Sequence, residues 1–175
     1  MVRRVALAGY MGVGKSTVAR ALGALWHCET VDLDAAIVAA HGSIAEQFKR
    51  DGESVFRVRE TQALRDVLAR HSGELILALG GGALLSAANR RALRDAGVCT
   101  IYLRMPLWLG WSRVSGDADR PLLKGGYPAY RARFEVRRRV YRSCDRIVDV
   151  YPGTPEQVAG RIFAALPRRV ITASF

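Results

Sequence analysis

Residues 9 to 17 are Gly9-Tyr10-Met11-Gly12-Val13-Gly14-Lys15-Ser16-Thr17, a glycine followed by four residues and then Gly-Lys-Ser. The apolar run Val5-Ala6-Leu7-Ala8 before this stretch predicts a buried strand, and the spacing of apolar residues over 16–25 predicts a helix after it. Glycines at a strand-to-helix turn let backbone N–H groups point at phosphate oxygens, at the positive end of the helix. The stretch therefore predicts a loop that wraps a polyphosphate.

The side chains of this loop have separate predicted tasks. Lys15 is expected to reach the β and γ phosphates of ATP and to serve catalysis, and Ser16 to bind the Mg²⁺ that ATP carries. The predicted ATP-binding residues of the loop are Gly12, Val13, Gly14, Lys15, Ser16 and Thr17. A chance glycine-rich turn with a surface lysine is the alternative, which the flanking strand and helix make unfavourable.

Length and composition limit the remaining choices. A chain of 175 residues, 19.2 kDa and 50% hydrophobic content predicts a single domain over 1–175. No apolar run is long enough to span a bilayer, so we expect a soluble, unprocessed protein without a membrane partner. We further expect a cytoplasmic monomer. The three cysteines are widely spaced and form no Cys-x-x-Cys, which favours reduced thiols over metal ligands.

The formal net charge is +11, and the excess of basic residues lies mainly in residues 104–175. Such a field attracts nucleotides, other anions or nucleic acid. A compositional bias toward surface arginine is the alternative for most of these residues.

Two carboxylates follow the first helix. Residues 30–34 predict a short strand with Asp32 and Asp34 on the same side of its end, at the edge of a parallel sheet where ligands bind. We expect Asp32 to hold the magnesium shell through water. Asp34 is expected to face a substrate hydroxyl and to be catalytic, with a helix N-cap as its alternative role.

Residues 41–60 contain two short helical patterns broken by glycines, and residues 34–60 are interpreted as a substrate-binding subdomain. Ser43 is a predicted N-cap for a helix ending near Arg50, and a longer helix is predicted over 54–70. Arg57 and Glu60 are three residues apart, so the carboxylate could fix the guanidinium. By spacing alone, a solvated surface ion pair is the favoured interpretation.

A fully apolar strand at 75–79 runs into Gly80-Gly81-Gly82. Three glycines after a buried strand indicate that something approaches the backbone closely, and a flexible turn is the alternative. A helix over 87–96 and a strand over 98–103 continue the strand-helix alternation of an α/β fold.

The C-terminal part begins with a predicted helix over 106–115. Charges, glycines and prolines then predict a mobile lid over 114–128, whose Arg120 would bring catalytic charge to the γ-phosphate. An arginine-dense helix over 129–144 and a last strand over 147–150 follow. Thr154 is the predicted N-cap of the final helix, with proline at its first position.

Taken together, these motifs resemble the shikimate kinase family over residues 5 to 165. The resemblance rests on residues 12–17, Asp32-Leu33-Asp34, Gly42 with Ile44 and Phe48, Gly52-Glu53 with Phe56-Arg57 and Glu60, residues 80–82, Arg120-Pro121-Leu122-Leu123, and Arg137 four before Tyr141. It implies a P-loop kinase fold with five parallel strands in the order 2-3-1-4-5, flanked by helices. It also implies ATP-dependent phosphorylation of the 3-hydroxyl of shikimate, in the route to chorismate and aromatic amino acids.

The resemblance also implies which residues bind each ligand. Arg113 and Arg120 would face ATP. The implied shikimate ligands are Asp34, Arg57, Gly80, Gly81, Gly82 and Arg137. Shikimate is a small anionic polyol, which calls for guanidinium groups at its carboxylate and a carboxylate at its hydroxyls.

The sequence departs from the family pattern twice. The family usually has Arg-Asn-Pro-Leu-Tyr where this chain has Arg137-Arg138-Arg139-Val140-Tyr141, which leaves open which arginine meets the substrate. Gly153 stands where relatives often have an arginine near the adenine. Backbone contacts of that loop are one substitute.

Two alternatives for the function remain. A kinase for another small polyol such as gluconate would share the loop and lid, but the Asp-x-Asp, Gly-Gly-Gly and Phe-Arg set favours shikimate. A nucleotide-dependent nucleic-acid-binding protein would explain the arginines of 131–146. Because these arginines match no known nucleic-acid-binding motif, we expect no nucleic-acid partner.

Overall fold

The computed structural model describes residues 4–116 and 125–166. Its parallel strands are β1 (Arg4–Ala8), β2 (Thr30–Asp32), β3 (Leu75–Ala78), β4 (Cys99–Arg104) and β5 (Arg146–Asp149). They form one sheet in the order β2-β3-β1-β4-β5, which confirms the implied order. The central strand β1 has a neighbour on each side, with Leu7 paired to Ala78 of β3 and to Ile101 of β4.

Helices cover both faces of the sheet, as parallel strands require. They are α1 (Lys15–Trp26), α2 (Leu33–His41), α3 (Ile44–Arg70), α4 (Ala87–Asp95), α5 (Leu107–Val114), α6 (Gly126–Arg142) and α7 (Pro155–Ala165), with a 3-10 turn at Ala83–Leu85. Val5 and Leu7 pack in the core that α1 and α7 cover, whereas Ala6 and Ala8 pack in the core that α2, α3 and α4 cover. This alternation confirms the predicted α/β class.

The boundary between β2 and α2 differs from the prediction. The strand ends at Asp32, two residues early, and Asp34 lies in the first turn of α2. The reason is a cap: Asp32 Oδ1 accepts a hydrogen bond of 3.1 Å from the backbone N–H of Ala35, which starts the helix at Leu33. The N-cap is therefore Asp32, and the prediction that both carboxylates end the strand was wrong.

Residues 44–70 form one helical segment with a kink at Gly52, where φ is 81° and ψ is 168°. This confirms two helices broken at a glycine, because a positive φ there is accessible to glycine at no steric cost. Ser43 accepts a bond of 3.2 Å from the N–H of Glu46, as predicted for its N-cap position. Thr154 also caps as predicted, with Pro155 at the first position of α7.

The predicted lid of residues 114–128 falls largely outside the described residues, because 117–124 are not among them. Helix α5 ends at Val114 and α6 begins at Gly126, three residues before the predicted start. Every helix in the described part of the chain is too short or too polar to cross a membrane.

Candidate active site

A cavity of about 710 Å³ lies where β1, β2 and β3 end, at the carboxyl edge of the sheet. Its size suits a small ligand. The cavity is lined by residues from five predicted motifs, among them Lys15, Asp34, Arg57, Gly81 and Arg137. These positions span more than a hundred residues of sequence, so the fold brings the separate motifs to one place.

The glycine-rich loop joins β1 to α1 on one side of this cavity. Gly12 and Gly14 both have φ of 87°, and a Cβ on Gly12 would collide with the carbonyl oxygen of Gly110 in α5. Gly14 is the N-cap of α1, so the loop ends at the positive end of that helix. Lys15 Nζ lies 3.0 Å from the carbonyl oxygen of Gly9 and lines the cavity.

The remaining loop residues divide between the cavity and the core. Ser16 and Thr17 line the cavity. Val13 does not: its side chain is 3% exposed and packs in the core against α1, and its backbone N–H donates to the carbonyl of Tyr10. A contact between Val13 and a nucleotide would therefore run through its backbone.

Two carboxylates converge on Gly80 after β3. A Cβ on Gly80 would lie 2.6 Å from Asp34 Oδ1 and 2.6 Å from Glu60 Oε1, so only glycine leaves room for both. Glu60 is 1% exposed, and its Oε1 has no hydrogen-bond partner among the described residues. Burial raises the pKa of the Glu60 carboxyl, and the charge of Asp34 raises it further, while Arg57 opposes the shift.

Arg57 lies beside this acid pair. Its Nη1 donates to Glu60 Oε2 at 2.9 Å, and its Nη2 donates to Glu53 Oε1 at 2.8 Å. Burial works against the charge of Arg57, but the two carboxylates outweigh it and raise the pKa of the guanidinium. The preference for a solvated pair between Arg57 and Glu60 was wrong, because Glu60 is enclosed by the fold and Arg57 lines the cavity.

The glycines of 80–82 explain how this pair becomes buried. A Cβ on Gly82 would lie 2.5 Å from Arg57 Nη1, just as one on Gly80 would meet Glu60. The close approach predicted from three glycines is thus made by the protein's own charged side chains. Glu60 was not among the predicted site residues. Its spacing from Arg57 was the available signal, and the distant glycines supply the burial.

Arg137 approaches the same loop from α6. It is 4% exposed, and its Nη1 donates to the carbonyl oxygen of Gly81 at 3.1 Å. Tyr141, one turn later, donates its hydroxyl to the same oxygen, and burial raises the pKa of that hydroxyl. Of the three successive arginines, Arg137 lines the cavity, whereas Arg138 pairs with Glu135 and Arg139 is exposed.

The arginines predicted to face the nucleotide have different positions. Arg113 of α5 lines the cavity and donates from Nη1 to the carbonyl of Gly12 at 3.2 Å. Arg120 lies outside the described residues. Near Gly153, where the family pattern has an arginine, the guanidinium of Arg161 donates to the carbonyls of Asp149 and Pro152 at 2.6 Å and 2.7 Å.

The cavity offers oxygen groups that suit an Mg²⁺ ion shared with a nucleotide. Ser16 and Asp32 both line it, and Asp32 keeps Oδ2 as an acceptor while Oδ1 caps α2. Among residues 4–116 and 125–166, no cluster of three or more His, Cys, Asp and Glu could hold a metal ion alone. Mg²⁺ is commonly bound by one or two protein groups together with substrate phosphates and water. The donor set suits a metal that arrives with a nucleotide.

Comparison with known proteins gives a consistent result. A model of the shikimate kinase family matches residues 11–167. The shikimate kinase of Cereibacter sphaeroides is 39% identical over 170 residues, which cover 95% of this chain and 84% of the relative. That of Streptomyces avermitilis is 42% identical over 168 residues, which cover 94% and 96%.

Solved structures agree with the sequence matches. Shikimate kinase from Acinetobacter baumannii in complex with shikimate superposes with a TM-score of 0.87 at 34% identity, covering 93% of this chain and 92% of that one. A gluconokinase from Sinorhizobium meliloti gives a TM-score of 0.63 at 15% identity, covering 93% and 90%. At that identity the second likeness concerns the fold alone.

Proposed function

Because the chain belongs to the shikimate kinase family, we propose a division of labour among its residues for the transfer of a phosphoryl group from ATP to shikimate. The reaction forms a bond between the 3-hydroxyl oxygen of shikimate and the γ-phosphorus. It breaks the bond from that phosphorus to the bridging oxygen, giving shikimate 3-phosphate and ADP. The observation that carries the proposal is the single cavity lined by the P-loop, Asp34, Arg57 and Arg137.

Shikimate is proposed to bind on the side of the cavity around residues 80–82. Arg57 and Arg137 offer two guanidinium groups to the substrate carboxylate, and each is already held by protein acceptors, Glu60 and the Gly81 carbonyl respectively. Groups held in place before binding lose less entropy when the ligand arrives. Residues 80–82 are also proposed to contact shikimate, since Gly81 and Gly82 line the cavity.

Asp34 is proposed to contact the acceptor hydroxyl. Its carboxylate reaches the cavity at the carboxyl edge of the sheet, across Gly80 from Glu60. Asp34 orients the hydroxyl and takes its proton as the new bond to phosphorus forms. Positioning and charge supply most of the rate enhancement in phosphoryl transfer, and proton removal by a placed base adds to it.

The P-loop, residues 9–17, is proposed to bind the phosphates. Backbone N–H groups at the N-terminus of α1 and the ammonium of Lys15 stabilise charge that develops on the γ-phosphoryl group and on the leaving oxygen. Arg113 supplies a further cation at this end of the cavity, and Arg120 is proposed to do the same. Ser16 would hold Mg²⁺, and Asp32 would hold it through water. The ion would supply positive charge that neutralises the phosphates.

Other properties stay predictions. We expect a cytoplasmic monomer. We also expect no binding of nucleic acid, since Arg137 of α6 lies buried in the cavity and accounts for part of the basic character of that helix. Residues 34–60 are proposed as a substrate-binding subdomain, and residues 114–128 as a mobile lid. Gluconate phosphorylation remains the second candidate.

A coupled assay of ADP release tests the substrate. Shikimate, quinate, gluconate and nucleoside monophosphates are each supplied at equal concentration with ATP and Mg²⁺. We expect shikimate to give the highest kcat/KM by about a hundredfold or more, because its ring holds the carboxylate and the 3-hydroxyl at a fixed separation that suits both arginines and Asp34. Quinate and gluconate also carry a carboxylate and hydroxyls, but quinate has a differently shaped ring and gluconate is an open chain. Faster turnover of gluconate or a nucleotide would overturn the assignment of shikimate and leave the kinase assignment standing.

A further inference from the structure

Tyr10 lies inside the P-loop, yet its side chain points away from the phosphate side. The residue is 5% exposed, and its ring packs along α6. The ring centroid lies 4.7 Å from that of Tyr130 and 5.4 Å from that of Phe134. The Arg137 guanidinium carbon lies 5.5 Å from the same centroid. One aromatic ring of the P-loop therefore contacts three successive residues on one face of α6.

The spacing of those three residues is four and then three, which places them on one face of the helix. Arg137 is the charged member of a face that is otherwise aromatic. Its guanidinium is held from two directions, by the face of the Tyr10 ring and by the Gly81 carbonyl oxygen at 3.1 Å. A cation over an aromatic ring is attracted more strongly when both are removed from water, and Arg137 is 4% exposed.

The hydroxyl of Tyr10 adds a link between the P-loop and α6 that is separate from the ring packing. It donates to the carbonyl oxygen of Tyr130 at 2.8 Å, and the hydroxyl of Tyr130 donates back to the carbonyl oxygen of Met11 at 2.9 Å. Both bonds are buried. The P-loop and α6 are thus joined by two hydrogen bonds that run in opposite directions. Burial raises the pKa of Tyr10, although Arg137 opposes the shift, so the phenol remains a donor.

We propose that Tyr10 is a positioning residue for Arg137, so that the phosphate-binding loop itself helps to set the affinity for the substrate carboxylate. The inference rests on the proposed function, in which Arg137 binds that carboxylate. The ring keeps the guanidinium in the cavity before shikimate arrives, which removes part of the ordering cost of binding. Tyr10 touches neither ligand and acts through Arg137.

A purely structural role for Tyr10 makes a different prediction. If the ring only fills space between the P-loop and α6, its loss lowers stability and leaves the affinity of a correctly folded protein for shikimate unchanged. If the ring positions Arg137, its loss weakens shikimate binding and leaves nucleotide binding nearly intact. The split between the two ligands therefore separates the roles.

Calorimetric titrations with shikimate and, separately, with ADP and Mg²⁺ measure this split. For Tyr10→Leu we expect shikimate to bind about threefold to thirtyfold more weakly, with the Kd of ADP changed by less than about twofold. Tyr10→Phe keeps the ring, so its shikimate Kd should stay within about twofold of wild type. Ile162→Val, a core change in α7 on the far side of the sheet, is the stability control and should change neither Kd.

Three results overturn the proposal: an unchanged shikimate Kd in folded Tyr10→Leu, an equal loss for both ligands, or an equal loss in Tyr10→Phe. Tyr10→Met also removes the ring face, and its flexible side chain adapts better to an irregular gap, so it replaces the leucine variant if that protein does not fold.

A nitrogen-proton NMR spectrum of the Arg137 Nε–H group reads the contact without any ligand, because the ring shifts that resonance. A shift of this resonance in the leucine variant would support the positioning role. If wild type also failed to bind shikimate, the positioning role would stand and the proposed function would be wrong. An unmoved resonance would overturn the positioning role alone.

Discussion

Single residues of the site take their roles from where the helices begin. Asp32 and Asp34 are two residues apart, yet Asp32 caps α2 through Oδ1 while Asp34 lies in the first turn beside Gly80. One carboxylate therefore has a structural task as well as the proposed metal task. The other faces the cavity where the acceptor hydroxyl is proposed to bind.

Replacing Asp34 tests its proposed role as the base. Asp34→Asn keeps the size and one acceptor but cannot take a proton, so we expect kcat to fall by about a hundredfold or more while ATP affinity is retained. The measurement is turnover at saturating ATP and shikimate, together with ATP titration. Near-normal turnover would mean that another group removes the proton.

Asp32→Asn is the matched control for that experiment. Asparagine is as good an N-cap as aspartate, so the stability of α2 should be kept. Turnover should become more dependent on magnesium concentration, because the charge that attracts the hydrated ion is gone. Equal magnesium curves for wild type and Asp32→Asn would contradict the metal role.

Glu60 gives a prediction about pH. Its pKa is raised in the folded protein, chiefly by burial, so the folded state binds the proton more tightly than the unfolded state does. The free energy of unfolding therefore falls as pH rises from the unfolded pKa, about 4.3, through the folded pKa. We expect the difference in Tm, wild type minus Glu60→Gln, to fall as pH rises over this range. A difference that rises with pH would contradict the sign of the shift.

Residue roles were predictable where the chemistry is local. The P-loop was visible because its glycines, lysine and serine act within nine consecutive residues. The burial of Glu60 was not, because it depends on a glycine loop twenty residues later that presses against it. Spacing on one helix cannot report what another segment places over it.

At the scale of elements, one face of α6 carries the residue proposed to bind the substrate carboxylate. Its buried residues Tyr130, Arg137 and Tyr141 face the P-loop and the glycines of 80–82, and the neighbouring arginines face away. The face of the helix thus answers the question of which successive arginine reaches the cavity, which the departure from the family pattern had left open.

Conservative replacement of these arginines tests that answer. Arg137→Lys keeps the charge but loses the planar fork that meets the Gly81 carbonyl and a carboxylate together, so shikimate should bind about tenfold to a hundredfold more weakly. Arg138→Lys, on the adjacent position of α6, should change the shikimate Kd by less than about twofold. A larger loss in Arg138→Lys than in Arg137→Lys would reassign the carboxylate contact.

Element boundaries were less predictable than the elements themselves. The Asp32 cap ended β2 early, and α6 began three residues before its predicted start. In the first case two aspartates competed for one cap, and only the geometry of Ala35 decided between them. Strand order came from the family resemblance together with the regular alternation of strands and helices.

At the scale of the whole molecule, Arg4 is a structural residue at the edge of the sheet opposite the site. Its guanidinium donates to the carbonyls of Ala96, Leu68 and His71, at 2.7, 3.2 and 2.7 Å. These carbonyls lie near the C-terminal ends of α3 and α4, where a cation also complements the helix dipole. One side chain of β1 therefore holds two helices.

Removing this cation should destabilise the protein without touching catalysis. Arg4→Met is expected to lower the free energy of unfolding by about 2 kcal/mol, a fall in Tm of about 4–8 °C, because three partly buried carbonyls lose a charged donor. Arg20→Met, an exposed residue of α1, should stay within about 0.5 kcal/mol of wild type. Thermal unfolding and kcat are measured for both. A fall in kcat for Arg4→Met at a temperature where it is folded would contradict a purely structural role.

The glycines of 80–82 have a consequence for inhibitor design. A side chain at Gly80 would displace Asp34 and Glu60, and one at Gly82 would displace Arg57. These positions cannot change without disturbing the groups proposed for the reaction. A compound that makes its main contacts with this backbone would therefore bind a surface from which resistance mutations are hard to select. A compound that relied on exposed arginines such as Arg139 could lose its affinity through a substitution that costs the enzyme little.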